Sequence, residues 1–226
     1  MLSLSKHEGR LRRYQIPGPP GAAGIFGVSP PPMSTIRSVC VFCGSKMGDD
    51  PAWAQAAERL GVLLAEQGIR LIYGGGRIGL MGVVAGAVMR AGGRVTGVIP
   101  DFLMKLEVGD TGVTDLVVVD SMHERKRRMF ELADGFVVLP GGLGTLDETF
   151  EIVTWKQLRQ HSKPIVVLNV NGYWKPFLEM VRAIIGGGFA HPAIADLFSV
   201  AERADDVIPA LRAAPEVDEQ VLTSHL

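Results

Sequence analysis

The 226-residue chain has little net charge, few cysteines and no long apolar run. Its 23 Lys and Arg residues nearly balance 24 Asp and Glu residues, so a net charge of −1 gives no general attraction to nucleic acid or to an anionic membrane. No apolar run approaches the roughly 20 residues that span a bilayer. The N-terminus also lacks a compact apolar region with a cleavage site. We therefore expect no nucleic-acid partner, no membrane association and a cytoplasmic location.

The two cysteines, Cys40 and Cys43, have the C-x-x-C spacing of redox proteins. They lie in an apolar run typical of a strand, where residues three apart are about 10 Å from each other and point to opposite faces. That separation exceeds the roughly 7 Å limit for a disulfide, so buried core thiols are predicted instead. The five histidines are scattered and no Cys/His cluster has zinc spacing, so no metal site is expected.

The chain divides into three parts by composition. Residues 1–35 are rich in Pro, Gly and Ser without periodicity, which predicts a flexible extension. Residues 36–213 form a single predicted domain, and residues 214–226 a polar C-terminal tail. The predicted strands cover 37–43, 69–73, 94–99, 115–119, 135–139 and 165–169. The predicted helices cover 51–67, 80–91, 121–133, 145–160, 173–185 and 204–213.

The predicted strands are short, rich in Val and Ile, and apolar on both faces, as in parallel sheets covered on both sides. Their alternation with helices predicts an α/β fold with a doubly wound, mostly parallel Rossmann-type sheet and helices on both faces. Ligands of such sheets lie beyond the carboxyl ends of the strands. The glycine-rich segments all fall at such ends, which predicts one shared nucleotide pocket. These segments are Gly44-Ser45, Gly74-Gly75-Gly76 and Gly141-Gly142.

The segment from Pro140 to Glu148, with the sequence PGGLGTLDE, follows a predicted strand and opens a predicted helix. Its glycines permit a tight turn, and the N–H groups and dipole of the helix N-terminus attract anions, most often phosphate. A tight turn whose acidic pair complements the helix dipole remains the structural alternative. Glu148 adds a carboxylate that a phosphate cradle does not need, but that a reaction on a phosphorylated sugar does.

The segment 74–79 matches the G-x-G-x-x-G pattern of dinucleotide sites. A dinucleotide enzyme also needs an acidic residue at the tip of the next strand, and Asp101 comes too late for that role. Three interpretations stay open at this point: a dinucleotide site, glycines that allow close helix–strand packing, and a loop that contacts phosphate or nucleotide.

Two charged residues are predicted to point inward. Arg125 lies three residues after Met122 and four before Met129, on the apolar stripe of its helix. Glu148 lies four residues before Ile152, on another packed face. For Arg125 a structural ion pair with a snorkelling side chain is the alternative. Opposite charges at the carboxyl ends of strands also suggest one catalytic pair, which we favour.

Six motifs occur in the order VFCGS at 41–45, YGGG at 73–76, GLMG at 79–82, MHERK at 122–126, PGGLGTLDE at 140–148 and TWKQL at 154–158. Together they resemble the LONELY GUY family of cytokinin riboside 5′-monophosphate phosphoribohydrolases, over roughly residues 36–212. The resemblance implies hydrolysis of the N-glycosidic bond of N6-substituted AMP, or of AMP itself, to free base and ribose 5-phosphate. A non-catalytic nucleotide-binding or carrier protein is the alternative.

The resemblance also implies which residues act. Arg125 and Glu148 are the implied catalytic residues. The predicted substrate contacts are Gly44, Ser45, Gly75, Gly76, Glu107, Lys126, Gly142, Leu143, Gly144, Thr145 and Thr154. Family members were labelled possible lysine decarboxylases, but no lysine here has a recognisable pyridoxal-phosphate context, so no cofactor is expected.

The chain departs from the family pattern in two places. The extension 1–35 is unmatched, and Arg159 follows Leu158 where the family often has glycine. The family forms dimers or larger assemblies. The segment 152–158 is apolar around more of its circumference than a one-sided surface helix requires, which also predicts a homodimer or higher homo-oligomer. Burial of this segment under the C-terminal helix of the same chain is the alternative.

Overall fold

The computed structural model describes residues 36–107 and 109–214, with side chains for 36–105 and 109–214. The predicted extension 1–35 and residues 215–226 of the predicted tail lie outside these ranges and stay predictions. The strands are β1 Ser38–Phe42, β2 Arg70–Tyr73, β3 Val95–Pro100, β4 Asp115–Val119, β5 Gly135–Val138, β6 Ile165–Leu168 and β7 Ser199–Ala201. The α-helices are α1 Pro51–Glu66, α2 Gly79–Arg90, α3 Asp101–Glu107, α4 Met122–Leu132, α5 Leu143–Gln157, α6 Lys175–Gly186 and α7 Val207–Arg212.

The seven strands form one sheet in the order β4-β3-β2-β1-β5-β6-β7, and all six strand pairs are parallel. From β1 the chain first builds outward to β4 and then returns to place β5 on the other side of β1. The helices that follow β1 and β5 therefore leave the sheet in opposite directions. A crevice forms at such a switch point beyond the carboxyl ends of the two strands.

Helices cover both faces of the sheet. One apolar layer contains residues of α1, α2 and α7, such as Leu60, Val84 and Leu211. The other contains residues of α4, α5 and α6, such as Met129 and Ile152. The predicted doubly wound fold is thus confirmed. Among the described helices none has the length and apolar character needed to cross a membrane.

The cysteines lie where the strand periodicity places them. Cys40 is fully buried in the layer with α4 and α5, while Cys43 is buried in the opposite layer. Both are free thiols, and burial raises the pKa of each well above its ordinary value. The predicted core role is therefore confirmed, and neither thiol is poised for redox chemistry.

Among the described strands and α-helices, two escaped prediction: α3 and β7, with seven and three residues. Both are too short to show a clear period in the sequence. The predicted helix 204–213 is a 3₁₀ turn over Ala204–Asp206 that continues into α7. Helix α5 begins at Leu143, two residues earlier than predicted, because Gly142 already serves as its N-cap.

Candidate active site

A cleft of about 270 Å³ lies at the switch point. It opens where β1 ends and where α5 begins, with α4 supplying a further wall. Eight of the thirteen predicted site residues line it: Gly44, Ser45, Arg125, Gly142, Leu143, Gly144, Thr145 and Glu148. The structure thus brings the two predicted catalytic residues and the glycine-rich segment to one place.

The N-terminus of α5 offers unpaired N–H groups to this cleft. Gly142 is its N-cap and provides no side-chain hydrogen bond. The first main-chain bond of the helix runs from the Leu146 N–H to the Gly142 carbonyl, at 3.1 Å. No described residue accepts a hydrogen bond from the N–H groups of 142–145. Such a set of free donors at the positive end of a helix dipole binds phosphate or another anion.

Arg125 is held inside the protein by main-chain carbonyls. The residue is only 8% exposed. Its Nε donates to the Val98 carbonyl at 3.1 Å, and its Nη2 donates to the Gly74 carbonyl at 3.0 Å. Its helix, α4, is capped by Ser121, whose hydroxyl accepts from the N–H of Glu124. The guanidinium is therefore held by the carbonyl that follows β2 and by one within β3, while its Nη1 lies 3.9 Å from Sδ of Met122.

Gly74 makes this arrangement sterically feasible. A Cβ atom at position 74 would collide with Nη2 of Arg125. The residue lines the cleft, whereas the predicted site residues Gly75 and Gly76 do not. Gly75 packs its backbone against Ile99, with φ of +77°. The packing interpretation of the glycine-rich loop therefore accounts for Gly75. Gly74 belongs to a segment that the sequence placed at the pocket, although it was not among the predicted substrate contacts.

Glu148 faces Arg125 across a short gap. Its Oε1 lies 3.8 Å from Nη1 of Arg125, and its side chain is 11% exposed. Burial raises the pKa of Glu148 to about 7, although the Arg125 charge acts in the opposite direction. A 3.8 Å contact without a hydrogen bond does not offset the lost hydration of a buried carboxylate. The negative charge of Asp147 raises the pKa further. Glu148 can thus exchange a proton near neutral pH.

Lys126 lies beside the cleft and bridges α4 to α5. Its Nζ is 3.3 Å from Oδ2 of Asp147 and 3.1 Å from Oε1 of Glu151. Burial lowers the pKa of Lys126, but the two carboxylates outweigh this effect, so its pKa is raised overall. The side chain is therefore a firmly protonated cation that links the two helices.

One other predicted substrate contact, Thr154, does not line the cleft, and the position of a second, Glu107, is not tested. Thr154 lies three turns along α5 and is exposed to solvent. Glu107 ends α3, and its side chain lies outside the described part of the structure. Both assignments stay predictions.

The remaining wall of the cleft is largely apolar. Leu103 comes from α3, and Met122 and Met129 come from α4. Further apolar lining comes from Val41, Phe42, Cys43 and Met81. Sequence reasoning missed these contacts, because an apolar residue that lines a cleft has the same local pattern as one in the core. A ligand with an apolar part and a phosphate group would match both parts of the lining.

The fold has known counterparts. The molybdenum cofactor carrier protein of Chlamydomonas reinhardtii superposes with a TM-score of 0.58, over 76% of this chain and 94% of that one. Sequence identity is 21%, so this similarity shows the fold alone.

Sequence relatives are considerably closer. The family model described as "Possible lysine decarboxylase" matches residues 81–211. A cytokinin riboside 5′-monophosphate phosphoribohydrolase of Arabidopsis thaliana is 42% identical over 194 residues, or 85% of this chain and 88% of the relative. An enzyme of the same name from Rhodococcoides fascians is 43% identical over 79% of this chain and 90% of its own length. The chain therefore belongs to the LONELY GUY family, which contains these phosphoribohydrolases and which the decarboxylase wording also describes.

Proposed function

We propose that this protein hydrolyses the N-glycosidic bond of N6-substituted adenosine 5′-monophosphates, releasing free base and ribose 5-phosphate. The observation that carries the proposal is the buried Arg125–Glu148 pair beside the N-terminus of α5, which has no side-chain capping bond. The helix end suits a 5′-phosphate, and the carboxylate suits the electron-poor sugar carbon that forms when the base departs. The two relatives described above are called cytokinin riboside 5′-monophosphate phosphoribohydrolases, a name that describes this reaction.

The proposed reaction proceeds by attack of water on C1′ of the ribose. The bond from C1′ to the base nitrogen breaks, the departing base takes up a proton, and a C1′–oxygen bond forms. The ionised Glu148 stabilises the oxocarbenium-like transition state and accepts a proton from the water. A pKa near 7 leaves a large ionised fraction at neutral pH and makes Glu148 a competent base. Arg125 orients Glu148 and the reacting end of the substrate.

The lysine decarboxylase activity in the description of the family model would require pyridoxal phosphate. The residues at the cleft do not fit that cofactor. A Schiff base forms from a neutral lysine amine. The amine of Lys126 is instead held by Asp147 and Glu151, which raise its pKa. We therefore assign no pyridoxal-phosphate step to this site.

The decisive test is release of base by purified protein and its single variants. We expect Glu148→Gln and Arg125→Ala each to abolish turnover of N6-isopentenyl-AMP, measured by chromatography of the free base. Matched controls lie on the surface of α4: Arg127→Ala and Glu131→Gln remove an exposed pair and should keep full turnover. Near wild-type turnover in either site variant would refute the assignment of the catalytic pair.

The same assay separates the enzyme from a carrier. A non-catalytic nucleotide-binding protein would bind AMP and release no adenine over long incubations. Substrates should include plain AMP, because we propose an AMP nucleosidase activity as well. Nucleosides without the phosphate should be poor substrates, since phosphate contacts at 142–145 supply binding energy for orientation. Efficient cleavage of adenosine would contradict that role.

We also propose that the protein works as a homodimer or a multiple of it. Burial of α5 under the C-terminal helix does not occur, since α7 packs on the opposite face of the sheet. On α5, Leu158 remains 50% exposed and Thr154 is exposed, which leaves a surface for a second copy. Light scattering should report twice the 24.3 kDa chain mass or a multiple of it. A monomer at micromolar concentration would rule out this interface.

A further inference from the structure

The three carbonyl groups that precede α5 are all engaged. The Pro140 carbonyl accepts from the N–H of Gly44 at 3.0 Å. The Gly142 carbonyl accepts the first helical bond, from Leu146. Between them, the Gly141 carbonyl accepts from the hydroxyl of Tyr173 at 2.5 Å. This middle bond joins the glycine-rich segment to a side chain 32 residues further along the chain.

The bond from Tyr173 sets the direction of one N–H group in the cleft. The carbonyl of Gly141 and the N–H of Gly142 belong to the same peptide unit. In a trans peptide these two groups point in opposite directions, and the described chain contains no cis peptide. A hydroxyl that holds the Gly141 carbonyl on one side therefore fixes the Gly142 N–H on the other.

Tyr173 is itself immobilised by its neighbours. Its ring makes edge-to-face contacts with Trp53 and Trp174, each with centroids 4.9 Å apart. The preceding turn is tied to the start of α1, because the Asn171 side chain donates to Asp50 at 2.9 Å. Asn171 has a φ of +51°, a conformation that asparagine tolerates better than most residues. The hydroxyl of Tyr173 is thus a fixed point rather than a mobile donor.

We propose that Tyr173 is a positioning residue for the 5′-phosphate, acting through the Gly141–Gly142 peptide. This inference rests on the proposed function, because it assigns the phosphate to the N–H groups of 142–145. Tyr173 does not line the cleft, so its hydroxyl acts on the ligand only through this peptide. Loss of the hydroxyl leaves the aromatic contacts in place and frees the peptide to rotate.

The test is Tyr173→Phe, with Tyr73→Phe as its matched control. The Tyr73 hydroxyl is buried and has no hydrogen-bond partner among the described residues, so the control removes the same atom without releasing a loop. We expect KM for N6-isopentenyl-AMP to rise about fivefold in Tyr173→Phe, the effect of losing one hydrogen bond, with kcat unchanged within a factor of about two. Tyr73→Phe should keep both constants.

A second measurement uses ribose 5-phosphate as a probe in isothermal titration calorimetry. Its affinity should fall by the same factor in Tyr173→Phe, while residual cleavage of adenosine, which lacks the phosphate, should not change. Unchanged KM and unchanged ribose 5-phosphate affinity would overturn the proposal. A fall in kcat and in adenosine cleavage, together with a lower Tm, would overturn it too, since the residue would then be only structural. If the wild type releases no base, the proposed function fails, and the calorimetric comparison still decides the role of Tyr173.

Discussion

The raised pKa of Glu148 makes protein stability depend on pH in a way that one substitution can isolate. The folded-state pKa of about 7 lies above the ordinary value of 4.5. Folding therefore favours the protonated side chain, and the ionised side chain destabilises the fold. This loss of folding free energy is absent below pH 4.5 and reaches its full size above about pH 7. Glu148→Gln mimics the protonated form at every pH and removes this cost.

The magnitude follows from the size of the shift. A change from 4.5 to about 7 corresponds to about 3 kcal/mol once the side chain is fully ionised in both states. Part of that cost is already present at pH 5, because the unfolded chain is then largely ionised. We expect the stability difference between Glu148→Gln and wild type to grow in favour of the variant by about 2–3 kcal/mol between pH 5 and pH 8.5.

Urea denaturation of both proteins at several pH values measures this difference. All other titrating groups are shared, so their contributions cancel in the comparison. Glu131→Gln, which changes an exposed carboxylate of α4, should show a difference that is nearly constant with pH. A flat difference for Glu148→Gln would refute the reasoning, because it would mean that Glu148 is hydrated or fully paired with Arg125 in solution.

Three further predictions concern glycine, capping and backbone conformation. Gly74→Ala places a methyl group where the Arg125 guanidinium lies, so turnover should fall about tenfold or more, as steady-state kinetics will show. Asp134→Ala removes a carboxylate that accepts hydrogen bonds from the N–H groups of Arg37 and Ser38 and from the Ser38 hydroxyl. Urea denaturation should show that the free energy of unfolding falls by about 2–3 kcal/mol. Arg159 has a φ of +54° after α5, and Arg159→Gly should relieve the resulting backbone strain. Calorimetry should then show that the free energy of unfolding rises by about 1 kcal/mol. A loss would show that the contacts of the Arg159 side chain outweigh the strain.

The sequence predicted the parts of the site that depend on periodicity. Arg125 was placed inward by its spacing from Met122 and Met129, and the structure buries it. Glu148 was placed inward by its helical row, and its side chain is nearly buried. The doubly wound sheet was predicted because its strands are apolar on both faces and glycines follow their ends.

The sequence could not predict partners that act through the main chain. The carbonyls of Gly74 and Val98 hold Arg125, and a carbonyl group leaves no trace in the residue type that carries it. Tyr173 reaches Gly141 across 32 residues, and the contact depends on packing against two tryptophans and on the turn that Asn171 ties to Asp50. The family pattern often has a glycine directly after α5, where this chain has Arg159. The backbone is left-handed at this position, a conformation that glycine adopts without steric cost.

The charges around the cleft couple substrate binding to the protonation of Glu148. Arg125 and Lys126 carry two positive charges, and Asp147, Glu148 and Glu151 carry three negative charges when ionised. A phosphate dianion bound at the start of α5, as we propose, would add negative charge near Glu148 and raise the pKa of its carboxyl further. Binding therefore favours the protonated form, whereas the proposed chemistry uses the ionised one. The pH profile of kcat, which reports the substrate complex, should accordingly rise at higher pH than the profile of kcat/KM, which reports the free enzyme.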